Sequence, residues 1–255
     1  MTDASSSELL ELGPPLVVAL VLLVAAGTCV AWLGQTGHAR QLAWASVRAT
    51  VQLTVLGTVL SYIVGSLWLT AAFLTLMSCA ATWTAASRIT AGRPGPRALG
   101  LTLLAVAVPA NALVVALTLA GVVPARGIAI IPTVGIVMGG AMTTAALAGQ
   151  RARHELRVRH GEVEAGLALG LDGVFIRLEV CRSGAATALI PALDQTRTVG
   201  LVTIPGAFVG MVLGGASPLH AGFMQLFVLI ALLANSPIAL VAVTQFVARG
   251  WYDAS

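Results

Sequence analysis

With 9% charged and 58% hydrophobic residues, this chain of 255 is too poor in charge to cover a soluble surface. Soluble domains carry about a quarter charged residues. The composition therefore predicts an all-α polytopic membrane protein, with the lipid bilayer as its first partner. The net charge of +4 comes from 14 arginines, with no lysine in the chain. They cluster between apolar runs, which reads as an orientation signal and not as a nucleic-acid footprint. Cys29, Cys79 and Cys181 lie far apart and read as small hydrophobes and one loop thiol, not as a disulfide or metal framework. Asp3, Glu8 and Glu11 make the N-terminus acidic, where a cleavable signal peptide would be basic.

A hydrocarbon core takes about 20 apolar residues per helix. On that measure the chain predicts seven spans. The first runs from about Pro14 to Leu33, opening on two prolines that suit a helix start. A second covers about Ala43 to Gly65 and a third about Leu67 to Ser87, joined by an uncharged hairpin. The fourth is about Leu99 to Val122, containing Pro109 and Asn111, and the fifth about Gly127 to Gly149. The sixth is about Ala186 to Leu213 and the seventh about Phe223 to Val247. Arg40, Arg48, Arg88, Arg93 and Arg97 fall in or near alternate connections, with Arg151, Arg153, Arg157, Arg159, Arg177 and Arg182 in a later one. Arg249 follows the last span, and only Arg126 lies on the other side. The arginine bias puts the N-terminus outside, the C-terminus in the cytoplasm, and the connection after the fifth span in the cytoplasm.

Val134 to Gly140, after Ile131-Pro132, is echoed by Val209 to Gly215, after Ile204-Pro205, a weak hint of internal duplication. The packing content is firmer. Gly135 and Gly139 share one helical face, as do Gly206, Gly210 and Gly214, and such faces admit close backbone approach. The fifth and sixth spans are expected to pack together, or across a dimer axis.

The connection from about 150 to 184 is long for this chain and reads as a cytoplasmic helical insert. Arg151, Glu155 and Arg159 are spaced to pair along a continued fifth helix, which Gly161 would end or bend. Glu162 and Glu164 then open a short second helix, and Gly170 with Gly173 flanks a turn at Asp172. Either this is a solvated loop or it docks a partner.

Glu164-Ala165-Gly166 followed by Gly170 resembles the coupling loop of ABC-transporter permeases. With Pro191 to Gly206, and Gly214-Gly-Ala-Ser-Pro-Leu219, the chain is similar to the FetB (YbbM) family of permeases. That family includes a bacterial iron-exporter subunit and plant proteins linked to aluminium tolerance. The resemblance implies a half-transporter that forms a homodimer and binds a separate ATP-binding subunit at Glu162, Glu164, Gly166 and Gly170. It implies a single permease domain over 1–255, in the inner or plasma membrane, serving metal homeostasis by iron export. Gly166 stands where relatives usually have alanine, which would loosen the coupling helix, and Gly140 stands in place of a common asparagine. Phe208-Val209 replaces a methionine-threonine pair, so less of the presumed path is polar.

Asp194 and Arg197 sit three apart in an apolar setting, where charges persist if paired or facing water. Either they anchor a helix end, or Asp194, Thr196, Arg197 and Thr198 line the inner mouth of a translocation path. Asp194 would supply oxygen to a hard cation and Met142 a thioether to a softer one; no metal site is assigned. The chain has no Gly-x-x-x-x-Gly-Lys-Ser/Thr loop and no lysine to build one, so it is expected to be no enzyme and to bind no cofactor itself. ATP and Mg would sit on the partner ATPase. The alternatives are an ATP-independent secondary transporter or channel, and a non-transporting scaffold.

Overall fold

The computed structural model describes residues 13–252, so the acidic segment with Asp3, Glu8 and Glu11 lies outside the described residues. Among the described residues there are helices and no strand, apart from one isolated bridge between Val199 and Thr203. Five helices are long and apolar enough to cross a bilayer: Pro14–Leu33, Leu67–Thr90, Pro96–Leu119, Gly127–Val158 and Pro218–Ala248. The protein is a multi-pass membrane protein. Its chain divides into two compact units, residues 1–62 and 63–255.

In the first unit, α1 (Pro14–Leu33) starts on its paired prolines after an extended Gly13. Gln35 and Gly37, both at positive φ, turn the chain into α2 (Ala39–Val64). Thr36 holds the turn: its hydroxyl donates to the Ala31 carbonyl, and its own carbonyl is 2.6 Å from Nδ1 of His38. No residue of α1 is buried, which suits a helix whose apolar surface meets lipid.

The second unit is built on α3 (Leu67–Thr90), α6 (Gly127–Val158) and α11 (Pro218–Ala248). Close approaches at glycine show that the three run in one direction. A Cβ on Gly135 would stand 3.1 Å from Met77, and one on Gly149 would stand 2.7 Å from Ile89. Against α11, Gly140 faces Leu232 and Gly149 faces Val243, at 2.9 and 3.1 Å. The Gln150 amide donates to the Arg88 carbonyl at 3.1 Å, joining α3 and α6 at the same end. Arg88, Arg93, Arg97, the arginines of late α6 and Arg249 therefore gather at one end of the bundle, and Arg126 stands at the other.

Between α3 and α6 the chain returns through α4 (Pro96–Thr102), a π-helical turn (Leu103–Ala107) and α5 (Val108–Leu119). Pro109 has no N–H to give, and Val108 donates five residues back to Leu103, which widens the turn. Asn111 then donates to the Ala107 carbonyl and to Oγ of Ser78, at 2.8 and 3.0 Å, tying α5 to α3 inside the bundle.

The predicted sixth span is not one helix. The chain runs through α8 (Gly173–Ala186), a 3₁₀ turn (Thr187–Leu189) and α9 (Ile190–Thr198), leaves the helix, and resumes as α10 (Gly206–Leu213). Two residues force the break. Gly200 sits at φ +80, and Ile204 precedes Pro205, whose ring disfavours a helical predecessor. The predicted sixth span touches α6 at its start, through the Thr187–Leu189 turn, while α10 rests on α11. Gly135 meets Met77 of α3, while Gly139, Gly206 and Gly210 meet no side chain within 4 Å. Gly214 approaches only carbonyls of its own helix.

Candidate functional site

At the arginine-rich end α6 continues past its apolar stretch to Val158, as the charge spacing predicts. Arg159 caps it and α7 (His160–Ala168) begins at once. Arg159 joins three helices. Its guanidinium donates twice to Glu162 of α7, at 2.7 and 2.5 Å, once to the Val180 carbonyl of α8 at 3.1 Å, and lies 3.8 Å from Glu155 of α6. The hydrogen bond to Glu162 raises the Arg159 pKa, with the nearby charges of Glu162 and Glu155 adding to it. The same bond holds Glu162 below the usual carboxylate value. Arg151 takes a different partner from the expected Glu155: it donates to Oγ1 of Thr187.

Glu164 lies on the open side of α7, about two-thirds exposed at 68%, with His160 at 3.4 Å. Gly170, at φ +83, reverses the chain after α7, a conformation in which a Cβ is disfavoured. Asp172 is more than a turn residue. Its carboxylate accepts from the N–H groups of Val174 and Phe175, at 3.0 and 2.9 Å, and caps α8. Gly166, expected from sequence to loosen α7, also has a packing role. Gly166 is buried, and a Cβ there would stand 2.5 Å from Ile176, so the glycine lets α7 cross α8 closely. Gly184 does the same against α6, where Cγ of Glu155 occupies the Cβ position to within 2.6 Å. Gly140, seen from sequence as a lost polar group, is a contact point for Leu232. Cys181 is buried between these helices, and burial pushes its thiol up to about 11.

Asp194 and Arg197 do meet, at 3.3 Å, on an exposed face of α9. Thr196 and Thr198 donate to carbonyls of their own helix, at 2.7 and 3.0 Å. Met142, partly buried, packs against the core of the second unit. Among the described residues no three His, Cys, Asp or Glu side chains gather to hold a metal ion. Ile176, Val180 and Gly184, which complete the clamp around α7, carry no signal in the sequence, being ordinary apolar or small residues. Gln225 of α11, buried beside the break, was missed for the same reason: one amide in an apolar run.

Over most of its length the chain matches known proteins. A family model described as "Uncharacterised protein family (UPF0014)" matches residues 15–252. The rice "UPF0014 membrane protein STAR2" is 32% identical over 225 residues, 87% of this chain and 78% of the relative. The Arabidopsis thaliana "Protein ALUMINUM SENSITIVE 3" is 32% identical over 200 residues, 77% and 72% of the two chains. The Escherichia coli "Probable iron export permease protein FetB" is 26% identical over 240 residues, 93% and 91% of the two. No solved structure matches the chain. The match spans nearly the whole bundle, including the α6–α8 clamp and the broken helix, and the chain belongs to the UPF0014 family of membrane proteins.

Proposed function

We propose that the chain is the permease subunit of an ABC-type exporter of metal cations, assembled as a homodimer with two copies of a separate ATP-binding subunit. The observation that carries this reading is α7, a short helix held by Arg159, Gly166 and Asp172 at the foot of an apolar helix and presenting Glu164 outward. A docked engine could move such a helix only if the helix were fixed to a span, and the α6–α7–α8 clamp fixes it. Similarity to a protein named as a probable iron export permease supports the cargo class.

In the proposed topology the arginine-rich end faces the cytoplasm. Because α6 and α11 run in parallel, the chain between them must return across the bilayer. The Thr187–Leu189 turn, α9, the break and α10 then form the sixth of seven crossings, and α7 with α8 lies in the cytoplasm. ATP and Mg belong to the partner.

Charge reversal tests the docking. Glu164→Lys leaves the Arg159–Glu162 bond intact and is expected to lower stimulation of the co-expressed ATPase at least about tenfold. Unchanged assembly and unchanged turnover in that variant would refute the assignment.

A further inference from the structure

The end of α11 holds an aromatic ring in one place. Gly250, at φ +69, terminates the helix, and the N–H groups of Gly250 and Trp251 donate back to the carbonyls of Val247 and Phe246, at 2.9 and 3.0 Å. In a glycine-terminated helix end of this kind, the residue after the glycine packs on the one five before it. Here the Trp251 indole stacks on the Phe246 ring, with centroids 5.4 Å apart. Tyr252 follows at once, buried, its hydroxyl 3.1 Å from Oγ1 of Thr102 in α4. The half-buried indole is thus pinned from both sides along the chain.

Guanidinium groups from three helices gather beside it. Those of Arg97 in α4 and of Arg249 after α11 lie over the ring, 5.9 and 5.3 Å from its centroid. Nη1 of Arg177, from α8, would stand 3.6 Å from a Cβ on Gly250. All three residues are exposed, and among the described residues none of the three forms an ion pair. The carboxylates on and next to α8 are engaged elsewhere: Asp172 caps the helix and Glu179 pairs with Arg182. Cations drawn to one ring still repel one another, and beside a low-dielectric layer that repulsion is weakly screened. An anion between them removes it. Depth selects the anion: Arg97 is the second residue of the Pro96–Leu119 span, and Arg249 directly follows the Pro218–Ala248 span. The cluster therefore lies at the level of the lipid headgroups.

We infer that Arg97, Arg177 and Arg249, set around Trp251, bind the phosphate of an anionic phospholipid. Guanidinium forks match phosphate oxygens in pairs, and basic pockets between spans at this depth suit such headgroups. The acyl chains then lie along the flanking apolar helices, a contact that a free anion or a soluble acidic protein lacks. The site depends on the spans alone and stands apart from transport and from docking at α7.

The test uses the full chain in detergent, titrated with phosphatidylglycerol or phosphatidylcholine, with native mass spectrometry reading the affinity of the first lipid adduct. Wild type is expected to hold the anionic lipid at least about fivefold more tightly, and Arg97→Gln/Arg249→Gln to lose that preference. Arg40→Gln/Arg48→Gln, on α2, should keep it. Should the first double variant fail to fold, Arg177→Gln, which leaves the helix end and the ring contacts in place, decides instead. No preference in wild type, or equal loss in both double variants, would overturn the site in favour of diffuse attraction to a basic surface. Displacement of the lipid by equimolar glycerol phosphate would overturn it in favour of a free anion. Asp253 lies outside the described residues; a preference seen only in Asp253→Asn would mean that the chain supplies its own counter-ion, and the site falls. Loss of ATPase co-purification in Arg97→Gln/Arg249→Gln, with the lipid preference intact, would give these arginines to the protein partner and likewise overturn it.

Discussion

Gly166 and Ile176 occupy one another's space: a single methyl on the glycine would fall 2.5 Å from Cγ1 of the isoleucine. Ten residues apart in the chain, they set the distance at which α7 lies on α8. Gly166→Ala is therefore expected to destabilise the fold by about 1–3 kcal/mol through overpacking. Ile176→Ala in the same chain should return part of that loss. Thermal unfolding of the two single variants and the double variant measures the coupling; additive losses would mean that the two do not touch.

Gly149 makes a stricter contact, wedged between Ile89 of α3 and Val243 of α11 at 2.7 and 3.1 Å. Gly149→Leu should prevent the three parallel helices from closing. The expected result is loss of a monodisperse peak on size-exclusion in detergent. Gly139→Ala, which meets nothing within 4 Å, should leave the profile unchanged.

The Arg159–Glu162 bond has a pH signature. Glu162 titrates below its ordinary value of 4.5 in the folded chain, so its contribution is present above that value and is lost as pH falls through the lowered pKa. The Tm difference between wild type and Glu162→Gln should thus be constant well above the ordinary value and shrink as pH falls below it. A difference that persists in acid would assign the effect to shape instead of charge.

Gly206 and Gly210 meet no other side chain of their own protein. If they face the second copy, Gly206→Leu and Gly210→Leu should leave unfolding of the chain within about 0.5 kcal/mol of wild type. They should nevertheless shift cross-linked species from dimer to monomer. An unaltered dimer would place the interface elsewhere.

Cys181 is expected to resist alkylation. A thiol with a pKa of about 11 carries little thiolate near neutral pH, and the side chain is buried. Maleimide labelling in the native protein should be roughly a hundredfold slower than after denaturation. Fast native labelling would mean that α8 opens from α6.

Much of this was legible in the chain. Pro14 and Leu33 bound the first helix as expected, because paired prolines and a continuous apolar run leave one reading. The continuation of α6 followed from the Glu155–Arg159 spacing, a local relation that survives without tertiary context. The break at 199–205 did not, although Gly200 and Ile204-Pro205 carried it, because an apolar run scores alike whether straight or interrupted. The packing role of Gly166 was not legible for a different reason: helix propensity describes an isolated helix, and the crossing of α7 on α8 is a tertiary contact. Which neighbour each glycine meets depends on helix direction, which only the assembled bundle fixes.

The uninterrupted length of α6 has a mechanical consequence. Its 32 residues measure roughly 48 Å at 1.5 Å per residue, against a hydrocarbon layer of about 30 Å. In the proposed transporter such a helix would serve as a lever pivoting against α3 and α11 near the tight contacts of Gly149, with Pro132 the one interior residue that gives no N–H to its ladder. From a pivot at Gly149 the Gly127 tip is 22 residues, roughly 33 Å, away, so a swing of about 5° displaces it by roughly 3 Å, more than twice the movement at the shorter Val158 end.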